Sequence, residues 1–152
     1  MTHTPSSAPQ ANPPWIGFHH IALVTPDLDA TITFYTEVLG MQLTQQFPAT
    51  ERSGRHCFIK PGDTSAWGLH LFEDPHATIF PYPETMPRFT IVPGALQHIA
   101  FALPDHHAAV ARRERLTQFG ITPTPFTTIG AIQNMLFHDN NGLLLEATWP
   151  NA

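Results

Sequence analysis

Gln97-His98-Ile99-Ala100-Phe101-Ala102-Leu103-Pro104-Asp105 repeats His19-His20-Ile21-Ala22-Leu23-Val24-Thr25-Pro26-Asp27 position by position, with His98 and His20 78 residues apart. Each copy reads as a short strand that stops at a proline and hands over to a helix capped by an aspartate. The first helix carries Leu28, Ile32, Tyr35, Val38 and Leu39 on one face, and Gly40 stands where a left-handed C-cap residue is expected. The second carries Val110, Leu116 and Phe119 on its apolar side and stops at Gly120. Three strands follow each helix: residues 41–47, 55–60 and 67–73 in the first copy, and 122–129, 131–138 and 143–149 in the second. Asn140-Asn141-Gly142 supplies a hairpin turn before the last of them. The expected class is therefore α+β: two βαβββ modules in one domain, with mixed curved sheets that form a cup.

This repeat sets the boundaries. Module 1 spans about residues 16–74, a linker covers 75–95, and module 2 spans about 96–149. The linker holds Pro75, Pro81, Pro83, Pro87 and Pro93, and is too long to be a simple turn. Residues 1–14 are polar and proline-rich and read as a disordered arm ahead of a folded domain at 15–152.

Composition narrows the function classes. The 152 residues suit one domain with a sizeable core, and the single Cys57 excludes an intrachain disulfide or a cysteine-cluster zinc site. Cys57 itself reads as a small buried hydrophobe. A net charge of −5 argues against nucleic acid as a partner. No apolar run approaches the roughly 18 residues of a membrane span, and the N-terminus lacks the apolar centre of a signal peptide. A cytoplasmic protein is expected. The ten histidines are the unusual entry.

Strand alternation sorts them. His20, Ala22 and Val24 share one face, as do His98, Ala100 and Ala102; the bulkier Ile21, Leu23, Ile99, Phe101 and Leu103 take the opposite face. A histidine followed by small residues lines a cavity better than it fills a core. The last strand of each copy adds a polar residue inside an apolar run, His70 in module 1 and Glu146 in module 2, 76 residues apart. An ionised glutamate there is costly unless it is paired or ligates a metal. If the modules combine about a pseudo-twofold axis, His20, His70, His98 and Glu146 converge, and imidazole with carboxylate suits Fe(II), Mn(II), Ni(II) or Zn(II). His19, His76, His106, His107 and His138 read as surface or turn residues.

The stretch His19-His20-Ile21-Ala22-Leu23-Val24 with Asp27-Leu28, Phe34-Tyr35 and Leu39-Gly40-Met41 resembles the opening of the vicinal oxygen chelate superfamily. That group includes glyoxalase I, extradiol dioxygenases, methylmalonyl-CoA epimerase and fosfomycin- and bleomycin-resistance proteins. Residues Phe137-His138-Asp139-Asn140-Asn141-Gly142-Leu143-Leu144-Leu145-Glu146 resemble its closing segment. Carried over by position, the resemblance implies that His20, His98 and Glu146 are metal ligands. His70 is either a fourth ligand or an unligated acid–base group. It further implies a metal-dependent dioxygenase or lyase/isomerase, with an extradiol-type oxygenase using Fe(II) or Mn(II) placed first. Leu136 and the Thr127-Thr128 pair depart from the dioxygenase pattern, whereas His70, Val24 and Asp74 depart from glyoxalase I. A non-catalytic antibiotic-binding protein is the alternative. Ala22, Val24, Ala100 and Ala102, with few charges nearby, imply a small, largely apolar substrate. The expected assembly is a homodimer, with the site formed within one chain or across two.

Overall fold

Strand β1 (His20–Thr25) ends at Pro26, which has no amide to continue a ladder. The Asp27 carboxylate then accepts from the Ala30 amide at 2.9 Å and starts helix α1 (Leu28–Thr33). The computed structural model that shows this describes residues 17–63, 66–78 and 96–151. The expected N-terminal arm and most of the linker lie outside the described residues. The helix continues into a π-helical turn over Phe34–Val38, closed by the Leu39 amide on the Phe34 carbonyl at 3.1 Å. Leu28, Tyr35, Val38 and Leu39 are buried and Ile32 packs against them, as the spacing predicted. Gly40 has a φ of 65°, the left-handed conformation expected after the last turn.

Strands β2 (Gln42–Phe47), β3 (His56–Lys60) and β4 (Gly68–Glu73) complete a sheet ordered β1-β4-β3-β2, with β1 parallel to β4. Module 2 repeats it. β5 (Ile99–Ala102), helix α2 (His106–Gln118), β6 (Thr127–Ile129), β7 (Ile132–His138) and β8 (Leu144–Pro150) give a sheet ordered β5-β8-β7-β6, with β5 parallel to β8. The register repeats too: Ala22 stands opposite His70, and Ala100 opposite Glu146. The chain therefore has the expected α+β architecture of two βαβββ modules, its two sheets open rather than closed into a barrel.

Two expectations change. Val110 and Phe119 are 37% and 47% exposed, and the inward face of α2 carries Ala109, Arg112 and Leu116 instead. The reason is electrostatic: Arg112 and Arg115 donate to the Val38 carbonyl at 3.2 and 2.9 Å, and Arg115 also reaches Glu37 O. These are the unpaired carbonyls at the end of the first helical segment, which has no basic residue of its own there. The sixth strand is also shorter than residues 122–129, because Pro123 and Pro125 cannot donate to the ladder.

One core cluster draws on both modules, from Leu28, Tyr35, Ile59 and Leu71 to Leu116, Met135, Leu145 and Trp149. Polar bonds fasten the modules as well. The buried Tyr35 hydroxyl donates to Asp139 Oδ2 at 2.9 Å, and Asn141 Nδ2 donates to Thr25 Oγ1 at 3.1 Å. Cys57 is fully buried, and burial pushes its thiol up to about 11. Gly68 stands opposite His20 with a φ of 88°, where an added Cβ would strike the Ile59 carbonyl. Gly68→Ala is expected to cost at least about 2 kcal/mol in a urea unfolding titration.

Candidate metal centre

The helices cover one face of each sheet, and the other faces are open. On the open face of the first sheet, the register sets His20, Ala22 and Val24 beside Gly68, His70 and Phe72, and those beside Phe58, His56 and Phe47. The His20 and His70 rings lie 5.5 Å apart between centroids. Phe58 stacks on His70 at 4.0 Å, and Phe72 lies against it at the same distance. His19 bonds His20 through their Nδ1 atoms at 2.8 Å and rests on Trp67, and His20 Nε2 has no hydrogen-bond partner among the described residues. His19 is exposed, as expected, yet it orients its neighbour.

On the open face of the second sheet, His98 Nε2 stands 2.9 Å from Glu146 Oε2. Glu146 is 8% exposed, and its second oxygen accepts from Asn134 Nδ2 at 3.0 Å. His98 Nδ1 is held by the Gln97 amide. The expected substrate-facing residues Ala22, Val24, Ala100 and Ala102 are all exposed on these open faces.

The four candidate residues therefore form two pairs, His20 with His70 and His98 with Glu146. Among the described residues, no cluster of three or more His, Cys, Asp or Glu is gathered to hold an ion. Among the described residues, each pair by itself falls short of a three-residue ligand set. The chemistry of the second pair, imidazole beside carboxylate, suits a divalent ion. A buried carboxylate aimed at an imidazole nitrogen, with neither Lys nor Arg bonded to it among the described residues, occupies the position where a cation would replace the intervening proton. The pocket that Glu146 lines with Met41, Pro61, Phe101 and Arg112 holds about 100 Å³, below what a ligand site of ordinary size requires.

His70 is held below the ordinary histidine range, chiefly by burial and then by the neighbouring His56 and His20 charges. At neutral pH it is an uncharged imidazole.

Sequence reasoning passed over His56, Gln97 and Asn134. The signal was present: His56 and Asn134 are 78 residues apart, the same offset as His20 and His98.

The sequence model of the glyoxalase/bleomycin resistance protein/dioxygenase superfamily matches residues 17–147. The chain belongs to that superfamily. An uncharacterized protein, YaeR, of Escherichia coli K12 is 31% identical over 130 residues, covering 84% of this chain and 92% of that protein. The mitochondrial methylmalonyl-CoA epimerase of Bos taurus is 36% identical over 67 residues, 43% of this chain and 38% of the epimerase. The crystal structure of a glyoxylase/bleomycin resistance protein/dioxygenase domain from Frankia sp. EAN1pec superposes with a TM-score of 0.69 at 22% identity, covering 91% and 94% of the two chains. That likeness establishes the shared fold. The superfamily contains metal-dependent lyases, isomerases and dioxygenases as well as binding proteins, so membership leaves the reaction to be argued from the site. No helix among the described residues is long and apolar enough to cross a membrane.

Proposed function

We propose that this superfamily member is a divalent-metal-dependent enzyme acting on a small, largely apolar molecule. Its metal ligands would be His20, His98 and Glu146, with the complete set assembled between two copies of the chain. The observation that carries the reading is the pairing of the buried Glu146 with His98, matched in the other module by His20 and His70. The open faces bearing both pairs also expose Ala22, Val24, Ala100 and Ala102, which a second copy would cover. Two His and one Glu suit Fe(II), Mn(II), Ni(II) or Zn(II), and they leave coordination positions for substrate. The bound ion would supply Lewis acidity or oxygen chemistry. The chain's own residues do the rest. Once a second copy covers them, Ala22, Val24, Ala100 and Ala102 would form an apolar wall that excludes water, and the neutral His70 would accept or return a substrate proton. Within that reading an extradiol-type dioxygenase is favoured over a lyase or isomerase, and the support is histidine rather than glutamate at position 70.

A second reading draws on Phe47, Phe58 and Phe72, which make part of the open face aromatic. An aromatic floor also suits a protein that only sequesters a planar antibiotic.

The deciding experiment combines metal analysis after reconstitution with oxygen uptake on a panel of catechols. His20→Ala and Glu146→Ala are expected to lose the metal, whereas His70→Ala retains it and loses at least about 100-fold in turnover. Failure of the reconstituted wild type to retain any transition metal refutes the enzyme reading and favours sequestration.

A further inference from the structure

Both modules support their candidate residues in the same way. The residue preceding each first-strand histidine holds that histidine's Nδ1: His19 for His20, and Gln97 for His98. A residue on the third strand of each module then reaches diagonally to the fourth-strand group. His56 Nδ1 meets His70 Nε2 at 2.9 Å, and Asn134 Nδ2 donates to Glu146 Oε1 at 3.0 Å. The register confirms the equivalence, since His56 stands opposite Phe72, two residues beyond His70, and Asn134 opposite Thr148, two beyond Glu146.

The two outcomes differ in one respect. Asn134 engages one of two carboxylate oxygens and leaves Oε2 directed at His98. His56 engages Nε2 of His70, the nitrogen furthest from the strand. Packing fixes this bond. His56 lies between Phe47 at 4.6 Å and Phe72 at 5.2 Å, nearly parallel to both, and His70 is stacked on Phe58. Two rings held in aromatic slots lose little further freedom when they bond.

We propose that His56 is the positioning residue of His70: by occupying Nε2 it fixes one ring orientation of His70 and keeps that nitrogen out of the metal's ligand set. Asn134 is its counterpart for Glu146, which does ligate. The proposal rests on the preceding functional reading, but the bond itself can be measured without metal or substrate.

The test is nitrogen-15 NMR of the histidine rings in the metal-free and zinc-loaded proteins, for wild type, His56→Phe and His56→Asn. Phenylalanine keeps the stacking between Phe47 and Phe72 and removes the bond, and asparagine reproduces the residue found in module 2. The wild type is expected to show His70 Nε2 hydrogen-bonded, with a shift unchanged by zinc. His56→Phe is expected to move the Nε2 signal to that of an unbonded imidazole, and His56→Asn to move it back. His56→Phe should shift the zinc Kd by less than about threefold, whereas Asn134→Leu should weaken it by ~10- to 100-fold. A His70 spectrum unaltered by His56→Phe, or a metal-type shift of His70 Nε2 on adding zinc, overturns the proposal. If zinc binds to none of these proteins, the metal reading fails, and the Nε2 shifts in metal-free protein still decide the role of His56.

Discussion

Co-refolding His20→Ala chains with Glu146→Ala chains is expected to restore metal binding that neither variant has alone. Each variant should bind far more weakly than wild type, beyond the ~10- to 100-fold that loss of a supporting residue costs. The recovery follows from the placement of the pairs. His20 and His70 lie on the first sheet, His98 and Glu146 on the second, and no third ligand joins either pair among the described residues. If module 1 of one copy faces module 2 of the other, a mixed dimer contains one site with both lesions and one with neither. Random reassortment makes half the dimers mixed, so about a quarter of the wild-type metal content should return. Sites closed within each chain would contain a lesion in every molecule, and nothing would return. Differently tagged chains show that mixed dimers have formed; tagged mixed dimers without metal would sink the two-chain site.

The fold could be read so fully from the sequence because the chain states it twice. A lone strand ending in Thr-Pro-Asp is weak evidence, but His20 to Asp27 and His98 to Asp105 specify the same strand, stop and cap at the same positions. The structure honours both caps, with Asp27 and Asp105 each accepting an amide three residues on. The same duplication drew attention to His20, His98, His70 and Glu146. What stayed hidden were contacts that no local pattern encodes. Arg112 and Arg115 look like a solvated helix face, and only the carbonyls at the end of another helix draw them across to module 1. His56 sits in His-Cys-Phe-Ile, an ordinary strand sequence, and its role depends on a diagonal contact across the sheet. The π-helical turn at Phe34–Val38 was equally unreadable, because its apolar spacing is shared with an ordinary helix.

Asp139→Ala is expected to be among the most destabilising single substitutions, at about 3 to 5 kcal/mol, because it leaves several buried donors without an acceptor. Asp139 Oδ1 accepts from the amides of Asn141 and Leu143, each at 2.8 Å, and Oδ2 from the Tyr35 hydroxyl at 2.9 Å. The first two bonds shape the turn into β8, the strand of Glu146. The third ties that turn to the first helix. Asp139→Asn keeps the amide acceptor and should cost much less. The two differ in pH dependence. Burial holds Asp139 above the ordinary carboxylate range, against smaller opposite pulls from Tyr35, the two amides and His138. Between the unfolded and folded values the native state retains a proton that the unfolded chain has lost, so this contribution to stability is complete at low pH and declines as pH rises through the folded value. Asparagine has no such proton. Denaturant titrations across pH 4 to 7 should therefore show the wild type's advantage over Asp139→Asn shrinking as pH rises. Tyr35 stays protonated throughout, since burial and the Asp139 charge raise it well above its ordinary value. A gap between wild type and Asp139→Asn that stays constant, or widens with pH, would show that the Asp139 carboxylate is ionised at no net cost. The attraction of its three donors would then exceed the cost of burying the charge at the junction of the two modules.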